Sequence, residues 1–214
     1  MNATPVILNL INTKSIIIGG GAVAEKRART LVEEGSQVKV ISPGVTTGIK
    51  TMAVNKDLIW IRKSFSEKDL IGAFIVVIAT NNATVNEEVL SAAKDHPLVN
   101  FTSDGERGNL QFPSLLTKGR LKIAISTGGA SPKLAALIKK DLEKKYDDRY
   151  EQYIDFLYEC RQFIKCSSWE QEVKSKLLSR LLDEEFLNVE KQKEMSRVLQ
   201  QAVEGGAELE RTYQ

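Results

Sequence analysis

The chain has 214 residues and a formal net charge of +2 at neutral pH. Hydrophobic residues make up 42% and charged residues 27%, an ordinary globular composition for one large domain or two small ones. This balance gives no reason to expect a nucleic-acid partner, and no apolar run approaches the ~20 residues needed to cross a bilayer. Met1-Asn2-Ala3-Thr4-Pro5 lacks the basic-then-apolar pattern of a secretory leader. Cys160 and Cys166 make neither a disulfide framework nor a zinc site. A reduced, cytoplasmic protein is expected.

Pro5 to Leu10 is a short apolar lead-in and a candidate edge strand. A β-branched run, Ile16-Ile17-Ile18, closes a strand over 15–18 and stops at three glycines. Helix formers follow at once, and Val23, Ala24, Ala28, Leu31 and Val32 keep a helical period to Glu34-Gly35. The spacing Gly19-x-Gly21-x-x-Ala24 between strand and helix is a dinucleotide-binding fingerprint with Ala in its third small position. Gly19 can make a turn that a side chain would obstruct, and Gly21 admits a pyrophosphate close to the backbone. Ala24 allows close packing of helix on strand. The phosphates would lie on the free N–H groups at the helix start, those of Ala22 and Val23.

Alternating strand and helix signals continue. Strands are expected at 37–41, 58–61, 74–79 and 98–101, with helices at 47–55 and 83–93 and a short turn at 67–70. This β-α-β-α-β order predicts an α/β fold with a Rossmann-type parallel sheet and right-handed crossovers. Ligands of such sheets lie at the carboxyl ends of the strands. Gly19–Gly21, Ser42–Gly44, Thr80–Asn82 and the loop after Phe101 therefore share one rim. Thr80, Asn81, Ser42 and Pro43 join the cofactor-side candidates. The acid usually found at the end of the second strand is absent, since Lys39, Ser42 and Pro43 occupy that region. Ribose contacts then fall to Ser42 or backbone groups.

The second half differs. Residues 102–120 read as loop, 121–125 as a strand, and Ser126-Thr127-Gly128-Gly129-Ala130 as a second small-residue turn. Ser131 is placed to cap a helix that has Pro132 at its first position. Beyond Asp147 the signal is helical. Ser167 to Gln171 has capping-box spacing, followed by an apolar stripe from Val173 to Leu182 that reads as core or subunit contact. The tail from Gly205 to Gln214 is expected to fray.

A hydride-transfer enzyme needs a proton acceptor beside its cofactor. Asp104 and Glu106 follow the fifth strand, and Asp104 is the preferred general base. An Asp-Gly turn is the alternative role for Asp104. His96, the lone histidine, falls on the opposite rim and builds no metal site by itself. No tyrosine has a lysine four positions on, which excludes one common dehydrogenase scheme. Both cysteines lie far from the rim. Arg107, Lys118, Arg120, Lys122 and Lys133 gather in the second half, either as a ligand surface for carboxylates or as a solvated face.

Five segments occur in one order: G-G-G-A-V-A-E-K-R-A (19–28), A-T-N-N-A-T-V-N (79–86), L-V-N (98–100), F-P-S (112–114) and I-S-T-G-G-A-S-P (125–132). Together they resemble the precorrin-2 dehydrogenase family of sirohaem synthesis, over about residues 5–145. The resemblance implies an NAD-binding Rossmann domain over 1–112, a small α+β dimerisation segment over 113–145 and a helical C-terminal domain over 146–214. It implies NAD-dependent oxidation of precorrin-2 to sirohydrochlorin by a homodimer. It also implies a tetrapyrrole with eight carboxylates as the ligand of the basic cluster. Arg107, Arg120, Ser126, Thr127, Gly128 and Lys133 are then the substrate-side candidates. The family's essential aspartate matches Asp104, with Ser103 where many relatives have a second aspartate. Some members also insert iron, so a bifunctional enzyme is one alternative. A non-enzymatic NAD-sensing module is another.

Overall fold

The computed structural model describes residues 4–205. Their contacts divide the chain into two units, Met1–Phe112 and Pro113–Gln214. The expected frayed tail lies, Gly205 apart, outside the described residues.

Five strands of the first unit, β1 (Lys14–Ile18), β2 (Gln37–Ile41), β3 (Ile59–Ile61), β4 (Ile75–Ile78) and β5 (Leu98–Phe101), form one parallel sheet. Their order is β3-β2-β1-β4-β5. Ile17 is registered against Val40 on one side and Val77 on the other, so β1 is flanked on both sides. A strand buried on both faces needs an unbroken apolar run, and Ile16, Ile17, Ile18 and Ile75 to Ile78 supply it. Alternate residues face opposite layers. Ile17, Val40 and Val77 pack with Ala24, Ala28 and Leu31 of α1 (Ala22–Glu33) and Ile49 and Met52 of α2 (Thr47–Val54). Ile16, Ile18, Val76 and Ile78 pack with Val89 of α3 (Ala83–Ala92) and with Leu70 of a 3-10 turn at Glu67–Leu70.

This is the doubly wound arrangement, and its order reverses between β1 and β4. The crevice at that reversal opens at the carboxyl ends, where Gly19 follows β1 and Thr80 follows β4. The free edge of β5 is covered by its own following loop. Asn109 accepts from Val99 N–H through Oδ1 (2.6 Å), Leu110 N–H donates to Val99 O, and Asn100 Nδ2 donates to Leu110 O (2.8 Å).

The second unit opens with an antiparallel hairpin, β6 (Ser114–Lys118) and β7 (Leu121–Ile125), followed by α4 (Pro132–Lys145). Helices α5 (Arg149–Cys166), α6 (Gln171–Arg180) and α7 (Val189–Gly205) then enclose a core of Phe156, Cys160, Ile164, Leu177, Leu181, Phe186 and Leu199. Tyr153 donates its hydroxyl to Leu181 O at 2.8 Å.

Three local expectations fail. Residues 4–10 form no strand, and only Leu10 among them is buried. β6 lies within the stretch read as loop, because Leu115-Leu116 are adjacent and break the alternation of a strand. Ser167 caps no helix start. Its hydroxyl donates to Ile164 O at 2.7 Å and closes α5, while Glu170 precedes α6 without a side-chain cap.

Candidate active site

The turn from β1 into α1 is tight. Gly19 has φ +124°, and a Cβ there would lie 2.1 Å from Ala79 O at the end of β4. A Cβ on Gly20 would lie 2.0 Å from Gly44 O, against the loop after β2. Thr46 N–H donates to Gly20 O at 3.0 Å and fixes the same approach. Gly20 is an unspecified position of the fingerprint, so its necessity was not readable from spacing. Gly21 differs: its φ is ordinary at −82°, and a Cβ there would meet nothing within 4 Å. The space above Gly21 is open, as the approach of a pyrophosphate requires.

Gly21 is the N-cap of α1 and supplies no side-chain cap. The first turn of α1 therefore presents its N–H groups and its positive dipole end without a side chain across them. Ala22 and Val23 are exposed there, and Ala24 is fully buried against the sheet. Glu25 is turned aside. The Thr46 hydroxyl, and then Arg29, hold its carboxyl below the usual carboxylate range. These residues fit a dinucleotide.

The neighbouring loops are pinned from within. Ser42 is buried and donates its hydroxyl to Gly44 O at 2.7 Å, so that proton is committed to shaping the loop. Pro43 is exposed, and its carbonyl accepts from Arg62 Nε at 3.3 Å. Thr80 Oγ1 donates to Asn86 Oδ1 at 2.6 Å, and Asn86 Nδ2 donates back to Thr80 O at 3.2 Å. Asn81 is exposed, and Asn82 caps α3 by accepting from Val85 N–H. Asn86 is buried. It went unassigned in the sequence, although it closes the A-T-N-N-A-T-V-N segment.

Asp104 stands exposed in the loop after β5, on the same rim. Its Oδ1 accepts from Glu106 N–H at 3.0 Å, so it also makes the turn expected of an Asp-Gly pair. Arg107 reaches α3, where its two terminal nitrogens each lie 2.6 Å from an oxygen of Glu87. The guanidinium also sits 5.2 Å from the Phe101 ring centroid. His96 lies at the opposite rim and contacts Leu70 O through Nε2 at 3.0 Å. Arg27 of α1 is partly buried over Phe112, 4.4 Å from the ring centroid, and burial lowers its pKa.

In the second unit, Gly128 and Gly129 have φ of +60° and +86°, with open space where a Cβ would stand. Ser126 Oγ accepts from Gly128 N–H, and Thr127 Oγ1 accepts from Ser131 N–H. Lys133 is exposed at the start of α4. Arg120 is paired with Asp155 (2.9 Å) and lies over Tyr158, and Lys118 is paired with Asp148. Among the described residues, no three His, Cys, Asp or Glu side chains are grouped to hold a metal ion. No helix among them is long and apolar enough to cross a membrane.

Strand order, the uncapped start of α1 and the open face of Gly21 define a dinucleotide-binding α/β protein. A family model described as NAD(P)-binding matches residues 6–114, the sirohaem biosynthesis protein central model matches 118–145, and the SirC C-terminal domain model matches 150–195. The chain belongs to the precorrin-2 dehydrogenase family. It is 38% identical to a precorrin-2 dehydrogenase of Priestia megaterium, over 88% of this chain and 94% of the relative. It is 34% identical to one of Bacillus subtilis (strain 168), over 74% of this chain and 98% of the relative. A solved structure titled SirC, precorrin-2 dehydrogenase, superposes with a TM-score of 0.81 at 36% identity, covering 93% of this chain and all of that one.

Proposed function

We propose that this protein oxidises precorrin-2 to sirohydrochlorin with NAD in sirohaem biosynthesis. The observation that carries the reading is the open, uncapped α1 turn on the same rim as Asp104, in a chain that matches precorrin-2 dehydrogenases over nearly their whole length. NAD, when bound, takes up a hydride from the substrate. The chain must hold the cofactor and remove one proton. Gly19, Gly21, Ala22 and Val23 are the proposed phosphate contacts, and the loops at Ser42–Pro43 and Thr80–Asn81 shape the cofactor's remaining surface. Asp104 is the proposed proton acceptor, since the residue is exposed on this rim and the turn engages it through Oδ1. Ser126, Thr127, Gly128 and Lys133 are the proposed contacts for substrate carboxylates, an exposed turn with a lysine beside it. Arg120 is proposed with them, its pairing with Asp155 exposed and exchangeable.

The working form is proposed to be a homodimer joined through residues 113–145. Leu134, Leu137 and Ile138 of α4 are exposed, and the β6–β7 hairpin is a two-stranded sheet, which is marginal alone. A reducing, cytoplasmic setting agrees with two free cysteines.

The test is anaerobic incubation with precorrin-2 and NAD, following NADH and sirohydrochlorin together. Equal appearance of both is expected. NAD binding with no turnover of the tetrapyrrole would leave a sensing module instead.

A further inference from the structure

The loop that carries Asp104 is exposed from Ser103 to Arg107, yet it is tied at several points. Thr102 Oγ1 donates to Ile78 O at 2.8 Å where the loop leaves β5. Asn109 and Leu110 return it to Val99. Between those anchors, Arg107 N–H donates to Asp104 O at 3.2 Å, the main-chain carbonyl of the residue that bears the carboxylate. The side chain of the same residue grips Glu87 on α3 through two bonds of 2.6 Å and rests near Phe101. A bidentate guanidinium–carboxylate pair fixes direction as well as distance, unlike a single surface contact. Each partner holds the other charged: the hydrogen-bonded Arg107 guanidinium keeps the Glu87 carboxyl below its usual range, and Glu87 in turn raises the pKa of Arg107.

The position of Glu87 gives the pair its meaning. Its neighbour Asn86 is buried and bonded both ways to Thr80, in the loop proposed to face the cofactor. Successive helical residues point about 100° apart. Consecutive side chains of α3 therefore hold two different loops, one on the cofactor side and one bearing the proposed base.

We propose that Arg107 is a positioning residue for Asp104, held by Glu87, and that α3 through Asn86 and Glu87 sets the base relative to the cofactor loop. This rests on the reading of Asp104 as proton acceptor. It removes Arg107 from the substrate's carboxylate contacts.

Glu87→Gln keeps the side-chain shape and removes the charge. Its kcat is expected to fall about 10-fold, with KM for NAD and for precorrin-2 within about 2-fold of the parent. Backbone amide exchange over 103–107 should rise in the same variant, a readout independent of turnover. Arg107→Lys should behave alike. The exchanged pair, Glu87→Arg with Arg107→Glu, should recover most of kcat and of the protection. Unchanged kcat and exchange in Glu87→Gln would overturn the proposal. So would a lower KM for precorrin-2 at unchanged kcat, because Arg107 would then be a substrate ligand that Glu87 occupies. Asp104→Asn is measured in parallel. Retained turnover there sinks Asp104 as the base and the positioning role with it, whereas lost turnover with an indifferent Glu87→Gln sinks the positioning role alone.

Discussion

The chain contains two glycine turns that each lead into a helix, and they are built on opposite principles. In the first, Gly19 and Gly20 are demanded by the protein's own backbone: a side chain at either would collide with Ala79 O or Gly44 O. In the second, Gly128 and Gly129 meet nothing, and only their positive φ calls for glycine. The helix starts differ in the same sense. α1 begins uncapped at Gly21. α4 begins at Ser131, whose hydroxyl accepts from Leu134 N–H, with Pro132 bringing no N–H at all. An anion finds unsatisfied donors at α1 and a largely satisfied terminus at α4. The first turn is thus a rigid cradle, and the second is a bare surface, proposed to meet its ligand through Ser126, Thr127 and nearby cations.

The largest expected effect breaks the first turn itself. Gly19→Ala adds a methyl group into Ala79 O at a φ that L-residues rarely adopt, and should cost about 3 kcal/mol or more. Urea unfolding should show the loss directly. Gly21→Ala separates cradle from fold. The position has ordinary φ and open space, so the melting temperature should hold while Kd for NAD rises about 10-fold or more. A variant that binds NAD normally would show that the pyrophosphate does not approach Gly21.

The second turn should respond in stability and not in cofactor binding. Ser131→Ala removes the cap of α4 and should cost about 0.5–2 kcal/mol, with Kd for NAD unchanged. Weakened NAD binding in this variant would erase the division of labour between the two turns.

The contrast also explains what could be read from the sequence alone. Unbroken β-branched runs are what double-sided burial requires, so β1 and β4 stood out. Gly19, Gly21 and Ala24 were readable because their spacing follows from one strand–turn–helix unit. Gly20 and Glu87 were not, since each is explained by a segment distant in the chain, Gly44 for Gly20 and Arg107 for Glu87; Asn86 was not, since its bonds back to Thr80 depend on how the loop after β4 turns into α3. Arg107 itself read as a cation free for a ligand, because a partner 20 residues away becomes visible only once α3 and the β5 loop share a rim. β6 was missed for a local reason, its non-alternating Leu115-Leu116. Its turn, Gly119-Arg120, is ordinary hairpin chemistry with φ +54° at Gly119.

The smallest expected effect tests whether the unit that follows the second turn has a stability of its own. Cys160 lies in the α5–α7 core, and burial pushes its thiol up to about 11 from 9.0, with a Ser196 hydrogen bond opposing the shift. In the unfolded chain the thiol ionises near 9.0, whereas in the folded chain it stays protonated to about 11. The folded state binds the extra proton, so stability is full below pH 9 and falls as pH rises from 9 to 11. The loss should reach about 1 kcal/mol by pH 10 and appear only in the transition of the helical unit. Cys160→Ala should start lower, because it leaves a cavity, and should lack that pH-dependent component. Exposed Cys166 should react with an alkylating reagent at neutral pH while Cys160 does not. A single transition carrying the slope for the whole chain would mean that sheet and bundle unfold together, and the two turns would then belong to one cooperative structure.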